Sequence, residues 1–329
     1  MKIAVDAMGG DNAPLEIVKG AYLATVEQGD VDIVLIGDQK RILECFSEMA
    51  VEKPENIQII NVEGSISMDD EPMVIMSEKN NSSMAVGLSL LKDNLCDVFI
   101  SAGNTGALHV GSTLMLRRIK GVRRAAIATV LPFENPVLML DSGANTDVTA
   151  DIFLQWAIIG SSYAEHIFSL SSKPRVGLLN IGTEENKGTA ILKEAYKLLE
   201  NDDRINFVGN VESKQLFNNP CDVLLTDGFT GNITLKLMEG FGAYMFSIMK
   251  ELFEKNLLTK LSFCTIKNNV NEIKNTFDPS EYGGAPILGL AKLVIKAHGS
   301  SRAYDVKNAI ISAKKYYESD VINKISKLF

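Results

Sequence analysis

The sequence has few of the residues that most often form catalytic or metal sites. Four cysteines and three histidines occur in 329 residues. No pair of cysteines has CxxC spacing and no pair of histidines has HExxH spacing, so the usual sequence signs of zinc are missing. Cys96 and Cys221 each precede an apolar run. We therefore expect buried thiols rather than nucleophiles, and no metal.

Motifs for nucleotide and esterase chemistry are also missing. In the segment nearest to a P-loop, the lysine Lys187 precedes the second glycine, Gly188. Met8-Gly9-Gly10-Asp11 follows the first predicted strand in place of a dinucleotide fingerprint, and GxSxG is absent. These absences argue against ordinary ATP chemistry, a nicotinamide enzyme and a serine esterase. We expect no cofactor.

The chain lacks a basic overall charge and a long apolar run. Its net charge of -8 and its isoelectric point near 5.1 argue against nucleic acid as a partner. No apolar run reaches the length of a membrane span. Met1 leads directly into a strand-like run, which leaves no room for a signal peptide. We therefore expect a cytoplasmic protein.

Short apolar runs alternate with helical patterns along the chain. This alternation predicts a three-layer α/β/α fold with a doubly wound, mostly parallel sheet. Because we find no linker or internal repeat, we expect one domain over residues 1–329. Strands are predicted at 3–6, 33–37, 57–62, 98–101, 126–130, 137–141, 176–181, 205–208 and 223–226, with 126–130 and 137–141 as an antiparallel hairpin. Helices are predicted at 14–28, 39–49, 82–92, 107–118, 150–166 and 189–200.

Six loops rich in Gly, Asn, Ser and Thr are interpreted as loops at the ends of strands. They are residues 7–12, 101–106, 141–145, 181–188, 226–232 and 297–301. Loops at the carboxyl ends of strands in an open α/β sheet share one edge, where ligands bind. A Gly-rich turn before a helix also directs backbone N–H groups at an anion. We expect the six loops to surround one anion-binding site.

Individual residues of these loops have two interpretations. Lys187 fits an anion-binding cation, and it also fits a solvated lysine paired with Glu184 and Glu185, which its position alone favours. Asn232 could be an amide donor or a helix cap. His298 could be a base or a hydrogen-bonded turn residue. The functional interpretation depends on the loops converging.

The pattern changes at about 233–278, where two apolar stripes at helical spacing predict a helical hairpin. The predicted helices cover about 233–256 and 265–277, and the alternative is two ordinary surface helices. A second copy of the chain could bury the stripes in a four-helix bundle. The stripes are Phe241, Met245, Ile248, Met249, Leu252 and Phe253, then Ile266, Val270, Ile273 and Phe277.

The connector between these helices, residues 257–263, combines large apolar residues with Lys260. Such a composition suits the surface of an anionic membrane. The alternative is that the connector packs on the partner subunit. The residues predicted to form this membrane tip are Leu257, Leu258, Leu261 and Phe263.

The loop motifs carry a resemblance to a known family. In order along the chain, residues 7–11, 101–107, 179–182 with Lys187-Gly188, 227–232, 281–286 and 297–301 resemble the bacterial phosphate acyltransferase (PlsX) family. The resemblance implies a fold like isopropylmalate dehydrogenase and phosphotransacetylase, and a homodimer. It implies that acyl-acyl carrier protein and inorganic phosphate give an acyl phosphate. An acyl-phosphate-dependent glycerol-3-phosphate acyltransferase would use that product in membrane phospholipid synthesis.

The resemblance also implies roles for residues. Lys187 and Asn232 stand at the positions implicated in catalysis, whereas His109 stands where we expect an apolar residue. Direct attack of phosphate on a thioester needs neither ATP nor a nucleophilic side chain. The residues expected to bind substrate are Gly9, Gly10, Asp11, Ser101, Gly103, Asn104, Thr105, Gly106, Asn145, Gly182, Thr183, Asp227, Gly228, Thr230, Gly231 and His298.

A carrier-protein substrate predicts a basic docking surface, because carrier proteins present acidic helices. Five cations lie within nine residues of this acidic chain, namely Arg117, Arg118, Lys120, Arg123 and Arg124. A solvated helix end is the alternative. Two other functions stay open, a phosphotransacetylase-like enzyme that uses acyl-coenzyme A and a non-catalytic module that binds acyl lipids or anions. If the protein is the phosphate acyltransferase that uses acyl carrier protein, we expect peripheral contact with the inner face of the cell membrane.

Overall fold

The computed structural model describes residues 1–276 and 282–329, in which one sheet contains eleven strands. The strands are β1 (Lys2–Asp6), β2 (Asp32–Gly37), β3 (Ile57–Asn61), β4 (Val98–Ser101), β5 (Ala126–Leu131), β6 (Val137–Leu140), β7 (Arg175–Asn180), β8 (Asn206–Glu212), β9 (Val223–Leu225), β10 (Ala285–Leu288) and β11 (Leu293–Lys296).

Ten α-helices accompany the sheet in this part of the chain. They are α1 (Leu15–Glu27), α2 (Gln39–Glu48), α3 (Ser83–Lys92), α4 (Thr105–Leu116), α5 (Ala150–Ile167), α6 (Ala190–Glu200), α7 (Gly228–Glu254), α8 (Leu257–Thr276), α9 (Ala303–Glu318) and α10 (Val321–Ser326). Two short 3-10 helices cover Pro72–Met76 and Ser213–Asn218. No described helix is long and apolar enough to cross a membrane.

Alternate residues of the central strands enter different hydrophobic layers. Ile3 and Val5 of β1 pack in a core with α1, α2, α5 and α9, whereas Ala4 packs in a second core with α3 and α4. In the other half of the sheet, Met139 packs in a third core against Leu235 of α7. Helices therefore cover both faces, which confirms the predicted α/β/α fold class.

The order of strands is β3-β2-β1-β4-β11-β10-β5-β6-β9-β7-β8. The first five run parallel, the pairs β11–β10, β10–β5 and β5–β6 are antiparallel, and β6, β9, β7 and β8 are parallel again. Three reversals leave β6, β7 and β9 pointing opposite to β1, β4 and β11. The expectation that all six loops share one edge of the sheet is therefore wrong.

The register of β10 nevertheless brings the two groups of strand ends to one height. Lys296, the last residue of β11, pairs with Ala285, and Ile127, near the start of β5, pairs with Ile287. Those two partners, Ala285 and Ile287, are only two residues apart on β10. Since β6 ends beside the start of β5, loops from both halves meet near the middle of the sheet.

Every predicted strand and helix of the α/β body is present, with bounds shifted by three residues or fewer, apart from a longer β8. The hairpin of β5 and β6 is antiparallel as predicted. Strands β10 and β11 and helices α9 and α10 were not predicted. Asp38, Ser82, Asn104, Thr189 and Asp227 each cap a helix with a side-chain oxygen, and this explains where those helices begin.

The helical hairpin differs from the prediction at its turn. Helix α7 ends at Glu254 and α8 begins at Leu257, so the connector predicted at 257–263 is helical. The turn is Lys255–Asn256, where the Asn256 side chain accepts a hydrogen bond from Thr259 N at 2.9 Å. The side chains of Leu257, Leu261 and Ile273, and residues Phe277 and Glu281, lie outside the described part of the chain.

Candidate active site

The loops after β1 and β4 share the buried carboxyl group of Asp6. Its two oxygens accept hydrogen bonds from Ser83 Oγ at 2.6 Å and Ser101 Oγ at 2.7 Å. Ser101 Oγ in turn accepts a hydrogen bond from Gly103 N at 3.0 Å. Burial raises the pKa of Asp6, and these hydrogen bonds oppose that effect. Gly9 lies against Gly103, so the predicted residues of these two loops are brought together.

The loop after β11 joins the same group. Asp11 N donates to Gly299 O at 2.8 Å, and the Asn12 side chain donates to the carbonyl oxygens of Ser300 and Ser301. Gly10 has a φ of +104°, and a Cβ there would lie 3.0 Å from Gly299 O, so only glycine fits without strain. Three of the six predicted loops therefore form one packed group.

Asn104 has a structural role within this group. Its side-chain oxygen caps α4 by accepting from Ala107 N, and its amide donates to the carbonyl oxygens of Ser67, Met68 and Asp70. Both N–H groups of its amide are therefore used within the protein. Thr105 and Gly106 are the first residues of α4, so their backbone N–H groups have no hydrogen-bond acceptor within the helix.

The loops after β6 and β9 form a second group around Asp141. Its fully buried carboxyl group accepts hydrogen bonds from Ile127 N, Gly143 N, Ala144 N, Asn145 N and Asn145 Nδ2. Asn145 Nδ2 also reaches Ala125 O, and Gly228 N donates to Asn145 O at 2.7 Å. A side chain at Gly231 would overlap the carbonyl oxygen of Asp141. Asn145 thus holds this group together, whereas Asn104 ties the loop after β4 to residues 67–70.

Helix α7 connects the two groups. Asp227 caps it by accepting from Thr230 N and Thr230 Oγ1, so Asn232 lies inside the helix and is not its cap. A Cβ at Gly143 would lie 3.6 Å from Asn232 Cβ, so these residues are neighbours. One turn later, Lys236 Nζ lies 2.9 Å from His298 Nε2. Asn232 and Lys236 therefore stand one turn apart on α7, and Lys236 contacts His298 of the first group.

The contact with Lys236 determines how His298 can act. An ammonium group only donates hydrogen bonds, so Nε2 accepts from Lys236, while Nδ1 lies 2.8 Å from Ser300 Oγ and 3.2 Å from Ser300 N. Burial, then Lys236, lower the pKa of His298. The imidazole is therefore neutral at pH 7, with its basic nitrogen engaged by Lys236.

Lys187 lies in the loop after β7, which neighbours β9 and runs parallel to it. The lysine is exposed, and its backbone is held by Asn180 Nδ2, which donates to Lys187 O at 3.2 Å. The loop contains Gly182, against which the lysine stem packs, and the exposed Thr183. The described contacts do not join this loop to the other five. Its part in the site stays a prediction.

The five predicted docking cations follow the end of α4 at Leu116 and are all exposed. Ile119 and Val122 are buried and anchor the segment, so it is a fixed loop rather than a helix end. Arg118, Arg123 and Arg124 line a cavity of about 390 Å³ together with Asp147, Val148, Thr149 and Ile152. Arg123 also forms an ion pair with Asp151.

Four residues at the site were not predicted from the sequence to belong to it, namely Asp6, Asp141, Lys236 and Lys296. Lys236 had a usable signal, because it lies four residues after Asn232 and so on the same helical face. His109, on α4, has a buried Nδ1 without a hydrogen-bond partner among the described residues, and burial lowers its pKa. Asp141 opposes that shift, so His109 lies close to the second loop group.

The described cysteines play no part in this site. Cys45, Cys96 and Cys221 are buried and free, as predicted for Cys96 and Cys221. Burial raises the pKa of Cys96 to about 11 and that of Cys221 to about 12, so both are neutral thiols at pH 7. The side chain of Cys264 is outside the described part of the chain. No described cluster of His, Cys, Asp or Glu is arranged to hold a metal ion.

Comparison with known proteins identifies relatives over nearly the whole chain. A family described as "Fatty acid synthesis protein" matches residues 1–324. The protein named phosphate acyltransferase in Thermoanaerobacterium thermosaccharolyticum is 43% identical over 328 residues, which cover 99% of this chain and 96% of that protein.

Two solved structures share the fold. A phosphotransacetylase from Streptococcus pyogenes superposes with a TM-score of 0.66 at 18% identity, covering 98% of this chain and 94% of that one. A branched-chain phosphotransacylase from Enterococcus faecalis gives a TM-score of 0.53 at 14% identity, covering 96% and 98%. At these identities the likeness concerns the fold alone.

Proposed function

Since the chain belongs to the phosphate acyltransferase family, we propose that it transfers a fatty acyl group from acyl carrier protein to inorganic phosphate. A phosphate oxygen attacks the thioester carbonyl carbon and forms a C–O bond. The tetrahedral intermediate then collapses, the C–S bond breaks, and the carrier leaves as a thiolate with the electron pair. The acyl phosphate is destined for membrane phospholipid synthesis, through an acyl-phosphate-dependent glycerol-3-phosphate acyltransferase. No cofactor is needed.

Lys187 and Asn232 are the residues we assign to the chemistry. The Lys187 ammonium supplies charge to the phosphate or to the developing oxyanion, and the Asn232 amide donates a hydrogen bond to that oxyanion. Gly103 N, Gly228 N, Thr230 N and Gly231 N already donate within the protein. Of the predicted turns, we therefore assign phosphate binding to the backbone N–H groups of Thr105 and Gly106 at the start of α4. Alignment of phosphate with the thioester can supply an effective molarity of roughly 10⁵ M or more.

The observation that most supports this assignment is the position of Asn232. Its side chain is exposed and has no hydrogen-bond partner among the described residues, although it stands beside Gly143 in the second loop group. Lys236, one turn along α7, contacts the first group through His298. A substrate lying along this turn would contact loops from both halves of the sheet.

The function is tested by incubating the protein with acyl carrier protein thioesters of several chain lengths and labelled phosphate. Labelled acyl phosphate is expected, together with release of the carrier thiol. The phosphotransacetylase fold favours one alternative, an enzyme that uses acyl-coenzyme A. Parallel reactions with coenzyme A thioesters separate the two, since turnover with these alone would replace the carrier protein as substrate. Absence of product with both donors would contradict catalysis.

We place carrier docking at the exposed arginines Arg118 and Arg124, which line the basic cavity. Replacing both with glutamate should raise the apparent KM for the carrier-bound substrate by about tenfold at low salt and reduce its salt dependence. The reason is that like charges would then meet on the two surfaces. Initial rates at several ionic strengths measure the effect. Arg117, Lys120 and Arg123 belong to the same proposed surface.

The matched control reverses two exposed lysines on the body, Lys19 and Lys40, which lie on α1 and α2. It changes the net charge equally and should leave KM unchanged. An unchanged KM in the arginine variant at low salt would place docking on another surface.

We propose that α7 forms the centre of a homodimer. Its large apolar side chains recur at three- and four-residue spacing and remain exposed, namely Phe229, Ile233, Leu237, Phe241, Tyr244, Met245, Ile248 and Leu252. A stripe of this size rarely stays in water. A second copy related by a two-fold axis would cover it. Residues 1–329 then remain one α/β domain from which the hairpin projects.

The end of the hairpin is our proposed contact with the membrane. Leu258, in the first turn of α8, is 78% exposed, whereas Phe263 is half-buried with its ring 4.9 Å from that of Phe253. Leu258 is therefore the described residue best placed to insert, and fully burying a leucine is worth roughly 1.5–3 kcal/mol. Two hairpins in a dimer would add by avidity.

Leu258→Glu should lower binding to anionic vesicles several-fold, because it removes apolar area and adds repulsion. Co-sedimentation with the wild-type protein measures this. Leu95→Glu is the matched control, since Leu95 is 59% exposed on the α/β body. If the Leu258 variant binds as well as the wild type while remaining the same oligomer, the hairpin end is not the anchor.

A further inference from the structure

Lys296, the last residue of β11, is a lysine buried in the interior. The residue is 8% exposed, and its Nζ donates to Ala102 O at 3.3 Å and also to Ala297 O. Those carbonyl groups belong to the loops after β4 and β11, which form the first loop group. One ammonium group therefore holds the loop after β11 to the loop after β4, to which we assign phosphate binding.

This ammonium group is buried without an ion-pair partner among the described residues. Asp6 and Asp11 lie close enough to favour its charged form, but Asp6 is already hydrogen-bonded to Ser83 and Ser101. An unpaired buried charge costs free energy that an apolar side chain of the same volume would not. The fold therefore retains a positive charge here at a cost to its stability.

The surroundings of Lys296 keep this charge responsive to pH. Burial lowers its pKa to about 8, the carboxyl groups of Asp6 and Asp11 oppose that shift, and Lys236 on α7 adds to it. His298 also lies within electrostatic range. Binding of an anion nearby would favour the charged form, as any negative charge near a lysine does.

We propose that Lys296 is a positioning residue of the phosphate subsite, where its ammonium group holds the loops after β4 and β11 and supplies the positive charge beneath them. The backbone N–H groups at the start of α4 and the glycine turn after β1 would face the phosphate. Lys296 acts through these loops, so phosphate binds more strongly when the lysine is charged. The inference rests on the proposed acyl transfer to phosphate.

The test measures KM for phosphate between pH 6.5 and 9.5 in wild type, Lys296→Met and Lys296→Arg. Wild-type KM should rise as pH passes about 8. Above that pH, wild-type KM should level off at the KM of the methionine variant. The KM of that variant should be about tenfold higher than the wild-type KM at pH 7 and should show no such rise. The arginine variant stays charged throughout and should keep a low KM at pH 9.5. Subtracting log KM of the methionine variant from log KM of wild type at each pH removes the effect of the titration of phosphate itself.

Thermal unfolding separates this role from a purely structural one. The pKa of Lys296 is lower in the folded chain than its ordinary value of about 10.4. Its charge therefore lowers wild-type stability below pH 8, and that loss disappears as pH rises toward 10.4. The methionine variant should unfold no earlier than wild type at pH 7, and any advantage should shrink at high pH. A variant that unfolds earlier yet keeps the wild-type KM would overturn the proposal.

Failure of the inference differs from failure of the proposed function. If wild type turns over and the KM profiles of wild type and both variants run parallel with pH, the role of Lys296 is overturned. The proposed acyl transfer to phosphate would still stand. Without turnover, calorimetric titration with inorganic phosphate still tests Lys296. Wild type should bind phosphate with uptake of protons between pH 7.5 and 9, and the methionine variant should bind it more weakly without uptake. Equal binding by both would also overturn the proposal.

Discussion

Replacing Lys187 with methionine should abolish phosphate-dependent acyl transfer and leave the fold intact. The variant loses the charge that we assign to the phosphate or the oxyanion, a loss expected to cost about 10²–10³ in rate or more. Methionine keeps most of the stem that packs over Gly182, and Asn180 holds the loop through the backbone. The rate of labelled acyl phosphate formation at saturating phosphate measures the effect.

Lys193→Met is the matched control, because Lys193 is exposed on α6 a few residues beyond the same loop. It should retain the wild-type rate. Circular dichroism and thermal unfolding should be unchanged in both variants. A near-normal rate for Lys187→Met would mean that Lys187 is an ordinary solvated lysine, and that the loop after β7 lies outside the site.

Asn232→Ala should lower kcat by about 10²-fold or more, because one donor to the tetrahedral oxyanion is lost. The fold should tolerate the change, since Asp227 caps α7 and alanine has the highest helix propensity. Single-turnover measurements with the carrier thioester separate this loss of rate from weaker binding.

Asn232→Asp is the companion variant, because it keeps the size of the side chain and replaces the amide donor with an acceptor. If donation matters, aspartate should be at least as damaging as alanine. If Asn232 only fills space beside Gly143, aspartate should restore most of the rate, and the proposed role would be withdrawn.

Most of the α/β body could be predicted from sequence, since its strands are short apolar runs between amphipathic helices. Strand β10 could not, because Pro286 lies within it and proline is unusual in a central strand. In the structure, the two halves of β10 pair with different strands. Ala285 and Pro286 pair with β11, and Ile287 and Leu288 pair with β5. A pairing partner that changes in mid-strand has no sequence signature.

Missing β10 and β11 had consequences for the site. Without them the sheet looks uniformly parallel apart from one hairpin, so all strand-end loops were expected at one edge. Lys296 went unnoticed because the strand that ends with it was not predicted. The asparagines illustrate the opposite error, since Asn104 and Asn145 look like ligand-binding residues in sequence yet use their amides to connect loops. Such contacts with distant carbonyl groups cannot be read from local sequence.

The place of β10 and β11 in the sheet also has a consequence for synthesis of the chain. These strands come late in the sequence, but they lie between β4 and β5 and join the two halves of the sheet. A nascent chain that has not reached residue 285 holds two half-sheets with exposed edges, and open edges of this kind invite pairing with other chains. His298 emerges later still. The sheet can therefore close only after the ribosome has synthesised β10 and β11, and chains released before them should aggregate and be inactive.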